Sequence, residues 1–155
     1  METVNTIKKH IFVLDDEPTV CEVLREILED LNYKVSCFGD PIECLAQLGS
    51  NRCDLLITDL KMPNKDGFEV LKEVQRIAPW IPVLMITGYG NIQDAVKAIK
   101  AGAIDFMEKP LDKKNLVHKI KSSFKKEHFH SPRIRYCSDP NRKKSFKACN
   151  QQHEQ

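Results

Sequence analysis

LLITDLKMP, residues 55 to 63, opens with four residues suited to a buried strand and breaks off at a carboxylate, Asp59. HIFVL, residues 10 to 14, has the same character, short and rich in β-branched and aromatic side chains, and it stops at Asp15 and Asp16. Runs with no polar alternation mark strands covered on both faces, as in a parallel sheet. Working outward, residues 34–38, 83–87 and 104–107 supply three more such strands. Between them the apolar period changes to that of helices. Pro18 opens the first, with Val20, Val23, Leu24, Ile27, Leu28 and Leu31 on one face and Asn32 at its end. Asp40 and Pro41 give a cap and a first-turn proline to the second, which Gly49 closes. Residues 68–78 and 92–101 carry the third and fourth, and Asp112 caps the fifth, with Leu116, Val117, Ile120 and Phe124 apolar. Five strands alternating with five helices through short connections predict an α/β fold, a five-stranded parallel sheet with helices on both faces.

Composition narrows the function classes. A chain of 155 residues, 41% hydrophobic and 30% charged, has enough apolar surface for one core. No stretch approaches the roughly 20 apolar residues of a membrane span, and the first residues lack a secretory pattern, so a cytoplasmic protein is expected. The six cysteines (Cys21, Cys37, Cys44, Cys53, Cys137, Cys149) form no C-x-x-C pair and no zinc spacing, and the four that fall in apolar-patterned segments are expected to be small core residues. Charge is unevenly spread. Residues 1–127 hold 18 Lys and Arg against 20 Asp and Glu, whereas residues 128–155 hold 6 against 2. That last stretch also loses apolar periodicity, so the expected organisation is a lead over 1–7, a folded domain over 8–127 and a disordered basic tail over 128–155.

Parallel sheets take ligands at the carboxyl ends of their strands. There the chain delivers Asp15 and Asp16 after the first strand, Asp59 after the third, Thr87 at the end of the fourth and Lys109 after the fifth. Three carboxylates brought together raise the cost of ionising one another, so a cation is needed. A donor set of oxygens, with no His or Cys, favours a hard ion such as magnesium, with manganese as the alternative. A divalent ion and Lys109 together balance the three negative charges. A neutralised cluster beside a hydroxyl and an ammonium has the parts for phosphoryl transfer, and Asp59 suits the nucleophile.

At these positions the sequence resembles the receiver domains of two-component response regulators. The resemblance rests on Asp15-Asp16, on Thr58-Asp59-Leu60-Lys61-Met62-Pro63 with Asp66-Gly67, on Thr87-Gly88, and on residues 101–106 leading to Lys109-Pro110. It covers roughly residues 8 to 126 with its motifs in order. It implies a flavodoxin-like fold with strand order 2-1-3-4-5, with Asp59 as phosphoacceptor. Asp16, Asp59 and the Lys61 main-chain carbonyl would bind magnesium directly, and Asp15 would do so through water. Thr87 and Lys109 would contact the phosphoryl oxygens, Phe106 would be the switch aromatic, and the peptide bond before Pro110 would be cis. Lys61 and Tyr89 occupy variable flanking positions and read as tuning elements. Phe106 stands where many receivers have tyrosine, so burial and not a hydroxyl contact must drive its swing.

The implied protein is a phosphoacceptor switch that assists its own phosphorylation and dephosphorylation, not an enzyme with a separate substrate. Its implied partners are a sensor histidine kinase or histidine phosphotransfer protein and a downstream protein bound at the face of the fourth helix, fifth strand and fifth helix. No output domain is expected in this chain. Two rival readings are weaker. A phosphatase of the haloacid-dehalogenase type would need an aspartate where Lys61 stands. Nucleic-acid binding would have to come from the tail, whose Arg133, Arg135, Arg142, Lys143, Lys144 and Lys147 are not interleaved with aromatics. Gly88-Tyr89-Gly90 is no dinucleotide loop, because Gln93 occupies the third glycine position and the segment follows the fourth strand.

Overall fold

The computed structural model describes residues 7–88 and 91–129, the side chains of 126–129 excepted. Tyr89, residues 1–6 and the basic tail from 130 onward lie outside the described residues, and with them the tuning role expected of Tyr89 and the expectations made for the tail. Chain order is β1 (His10–Leu14), α1 (Pro18–Asp30), β2 (Lys34–Phe38), α2 (Pro41–Leu48), β3 (Leu55–Asp59), α3 (Gly67–Ile77), β4 (Val83–Thr87), α4 (Ile92–Lys100), β5 (Asp105–Glu108) and α5 (Lys113–Phe129). The five strands form one sheet in the order β2-β1-β3-β4-β5, and every pairing is parallel.

The sheet's two faces bury different residues of the same strands, as the two-residue period requires. On one face Ile11 and Val13 of β1, Leu55 and Ile57 of β3, and Leu84 and Ile86 of β4 pack with Leu24 and Leu28 of α1 and Leu116 and Ile120 of α5. On the other, Phe12, Leu14, Leu56, Val83 and Met85 pack with Cys44 and Leu48 of α2, Val70, Leu71 and Val74 of α3, and Ala98 of α4. β1, β3 and β4 are thus covered on both sides, which is why they read as unbroken apolar runs. Asp40, Asp66 and Asn91 cap α2, α3 and α4 through side-chain oxygens that accept from Ile42, Glu69 and Asp94 amides. Among the described residues no helix is long and apolar enough to cross a membrane.

Two boundaries differ from the sequence expectation. β5 begins at Asp105 and takes in Glu108. An edge strand has one free flank and tolerates polar residues, and Asp105 is held by Lys119 of α5 at 3.0 Å. α5 runs on to Phe129, since residues 125–128 contain no helix breaker and Pro132 comes later.

Candidate functional site

Asp15, Asp16, Asp59, Thr87 and Lys109 stand at or just beyond the ends of strands, and main-chain bonds fix those ends relative to one another. The Asp15 amide donates to the Phe38 carbonyl at 3.0 Å, which ties the exit of β1 to β2. The Leu60 amide donates to Ile86 at 2.8 Å and the Lys109 amide to Thr87 at 2.8 Å, so the exits of β3, β4 and β5 are also laced together. The side chains that follow are therefore positioned by the sheet and not by free loops.

Asp15, Asp16 and Asp59 each present a carboxylate oxygen within 4.8 Å of the others. Asp15 and Asp59 are buried, at 3% and 6% exposure, while Asp16 faces solvent. Lys109 bridges the two buried carboxylates, its Nζ 2.9 Å from Asp15 Oδ2 and 3.4 Å from Asp59 Oδ2. The other Asp15 oxygen accepts from the Glu17 amide at 2.9 Å. Thr87 is buried beside them, at the end of β4. The Lys109–Pro110 peptide bond is cis.

The electrostatics follow from this crowding. Burial, first, and the neighbouring Asp15 push the Asp59 carboxyl above the usual carboxylate range, against the pull of Lys109 and of the Lys61 backbone N–H. Burial works against the Lys109 ammonium too, but the Asp15 and Asp59 carboxylates outweigh it and hold its pKa above the ordinary lysine value. One ammonium cannot offset three carboxylates, two of them out of water. The remaining charge, presented by hard oxygen donors, fits a small divalent cation.

Gly67, the first residue of α3, closes the floor of the site. A Cβ there would lie 2.6 Å from the Asp59 carbonyl oxygen, 2.6 Å from Met85 Cε and 2.8 Å from Leu60 Cα. Its amide donates to the Leu60 carbonyl. Only a residue without a side chain lets α3 start this close to the end of β3.

The structure brings together Asp15, Asp16, Asp59 and Lys109, with Thr87 at the adjoining strand end. Phe106 lies apart, on β5 opposite Met85, half-buried against the layer of α2, α3 and α4. The Lys61 side chain is exposed. Sequence reasoning passed over Glu17, whose amide orients Asp15 and whose carboxylate is 4.0 Å from Lys109 Nζ. Its signal was a third acid directly after Asp15-Asp16. The steric role of Gly67 left no signal beyond the residue type.

Residues 11–121 match the family model for the response regulator receiver domain. The chain is 36% identical over 115 residues to Response regulator protein TmoT of Ectopseudomonas mendocina, covering 74% of this chain and 52% of that protein. It is 37% identical over 102 residues to Transcriptional regulatory protein ZraR of Klebsiella oxytoca, covering 66% of this chain and 23% of that protein. The chain therefore spans about half, or less, of the length of these curated relatives. Among solved structures, the response regulator receiver domain protein (CheY-like) from Methanospirillum hungatei matches with a TM-score of 0.76 at 27% identity, covering 81% of this chain and all of that one. A parallel sheet in the order β2-β1-β3-β4-β5, an acidic cluster bridged by a lysine at its carboxyl edge and these matches agree, and the chain belongs to the response regulator receiver domain family.

Proposed function

We propose that this chain works in a phosphorelay by accepting a phosphoryl group on Asp59 from a phosphohistidine of a sensor kinase or phosphotransfer protein. The observation that carries the reading is the Lys109 ammonium shared between Asp15 and Asp59 at the end of the central strands. In the transfer an Asp59 carboxylate oxygen attacks phosphorus, the bond from phosphorus to the imidazole nitrogen breaks, and the neutral imidazole leaves after protonation. Lys109 holds the attacking carboxylate in place and then balances the phosphoryl oxygens, with Thr87 supplying a hydroxyl from the neighbouring strand end. Magnesium, with manganese as substitute, would be held by Asp15, Asp16, Asp59 and the Lys61 main-chain carbonyl, where it supplies charge neutralisation for the transferring group. Lys61, two residues after Asp59 in the sequence, and Tyr89, two after Thr87, tune hydrolysis of the acyl phosphate, so the protein takes part in its own phosphorylation and dephosphorylation.

The output is a change in the face formed by α4, β5 and α5, with Phe106 as the moving aromatic. Ile92, Val96 and Ile99 of α4 are exposed there at 83%, 47% and 49%, an apolar surface suited to a protein target. Residues 8–127 are assigned as the phosphotransfer unit, acting in the cytoplasm, with the basic tail left to partner choice. The test is incubation of the full chain with acetyl phosphate and magnesium, followed by intact mass. We expect gain of one phosphoryl group, labile to hydroxylamine, and none for Asp59→Asn. Phosphate retained by that variant would overturn the assignment.

A further inference from the structure

On the flank of the sheet away from Lys109, an open groove of about 280 Å³ runs from Asp15 and Asp16 past Cys21 and Arg25 to Cys37. Cys37 lies on β2, the outermost strand, directly beside Val13 of β1, and is only partly covered. Cys21 sits in the first turn of α1 above it. Both side chains line this groove. The Cys37 sulfur is 3.6 Å from the Cys21 carbonyl oxygen, and the Cys21 thiol donates to the Asp15 carbonyl at 3.5 Å. The Arg25 side chain, one turn along α1 and exposed, lines the same groove and sets its positive charge toward Cys37.

We propose that Cys37 and Cys21 form an oxidant-sensing pair, with Cys37 the thiol that reacts with peroxide and Cys21 the thiol that resolves it to a disulfide. The Cys37 sulfur already lies against the Cys21 backbone, it is partly open to solvent, and the Arg25 cation lines the same groove; reactive thiols share these conditions and buried structural ones do not. The neighbouring Cys21 side chain and the Arg25 charge also draw the Cys37 thiol below the ordinary thiol range. Cys44 and Cys53 provide the contrast. Both are buried in the opposite layer, and burial pushes both thiols up.

The chemistry closes without a cofactor. The Cys37 thiolate attacks one oxygen of hydrogen peroxide, the O–O bond breaks, and hydroxide leaves, giving the sulfenic acid. Cys21 sulfur then attacks Cys37 sulfur, the S–O bond breaks, and water leaves with the Cys21 proton. Two thiols are oxidised and one peroxide is reduced to two waters. The new bond staples the first turn of α1 to β2 a short step from Asp15, whose carbonyl loses its thiol donor.

The test applies hydrogen peroxide to the full-length protein, blocks residual thiols with a maleimide, and maps the peptides. The expected result is a Cys21–Cys37 disulfide formed about tenfold or more faster than any oxidation of Cys44 or Cys53. Cys21→Ala should leave Cys37 as a sulfenic acid captured by dimedone, and Arg25→Gln, at an exposed position, should slow that capture. Cys37 still reduced when Cys44 or Cys53 has reacted would overturn the proposal. So would pairing of Cys37 with Cys137 or Cys149 in preference to Cys21. None of these readouts depends on phosphate, so they stand apart from the test of Asp59.

Discussion

Replacing Gly67 by alanine puts a methyl group where the chain has left no volume for one. Of the three atoms it would meet, Met85 Cε can move aside by rotation, but the Asp59 carbonyl oxygen at 2.6 Å and Leu60 Cα at 2.8 Å belong to the backbone at the end of β3. Relief requires α3 to withdraw, which lengthens the Gly67 to Leu60 hydrogen bond and loosens the packing of Val70 and Leu71. Overpacking of this kind costs about 1–3 kcal/mol. The opposing gain, from a less flexible unfolded chain, is only about 0.4–1 kcal/mol. The steric term wins, and a net loss of about 1–2 kcal/mol is expected, read as a lower urea midpoint and a Tm drop of about 4–8 °C. Gly49→Ala is the control, because a Cβ there meets nothing closer than the Ala46 carbonyl at 3.6 Å. It should be neutral or slightly stabilising. Since the displaced atoms are those of Asp59 and Leu60, Gly67→Ala should also slow phosphorylation by acetyl phosphate. A Gly67→Ala protein as stable as Gly49→Ala, with an unchanged phosphorylation rate, would refute the packing argument.

Two further outcomes are expected. The raised pKa of Asp59 means that the folded state binds its proton more tightly than the unfolded chain does. Metal-free stability should therefore fall as pH rises from the ordinary carboxylate value through the raised one. Asp59→Asn should lack that part of the pH dependence and be the more stable protein at pH 7 without magnesium, while Lys109, raised above the ordinary lysine value, contributes only to losses at alkaline pH. Urea melts across pH check this, and an unchanged pH profile in the variant would count against it. Thr87→Ala should still take up phosphate but fail to shift the α4–β5–α5 face, seen as absent chemical-shift changes there. Driving that face from about 1:99 to 99:1 needs about 5.5 kcal/mol of differential contact, and the variant removes one of its sources.

The architecture was legible because burial on both faces leaves its mark on local composition: residues 11–14, 55–57 and 83–86 are apolar throughout and stop at a polar residue. β5 was placed one residue early, since an edge strand admits Asp105 and Glu108 and so lacks that mark. Asp15, Asp59 and Lys109 could be placed on one rim because strand ends in a parallel sheet share a side. What local sequence does not carry is distance through space. The contact between Cys21 and Cys37 depends on the β1 to β2 register, and the pressure of Gly67 on Asp59 depends on how closely α3 approaches. Both are set by packing among segments far apart in the chain.

The ammonium that steadies Asp59 comes from 50 residues further along the chain. At about 5–20 residues per second, synthesis delivers Lys109 some 3–10 s after Asp59. Both buried carboxylates are by then part of the emerged chain, and β1 and β3, which carry them, are direct neighbours in the sheet. The acidic pair is synthesised before its own counter-charge, and β4 and β5 must dock before Lys109 can reach it. Any pairing of β1 with β3 ahead of β4 and β5 sets these two carboxylates together without their ammonium, and a proton on Asp59 or a bound cation would relieve the repulsion.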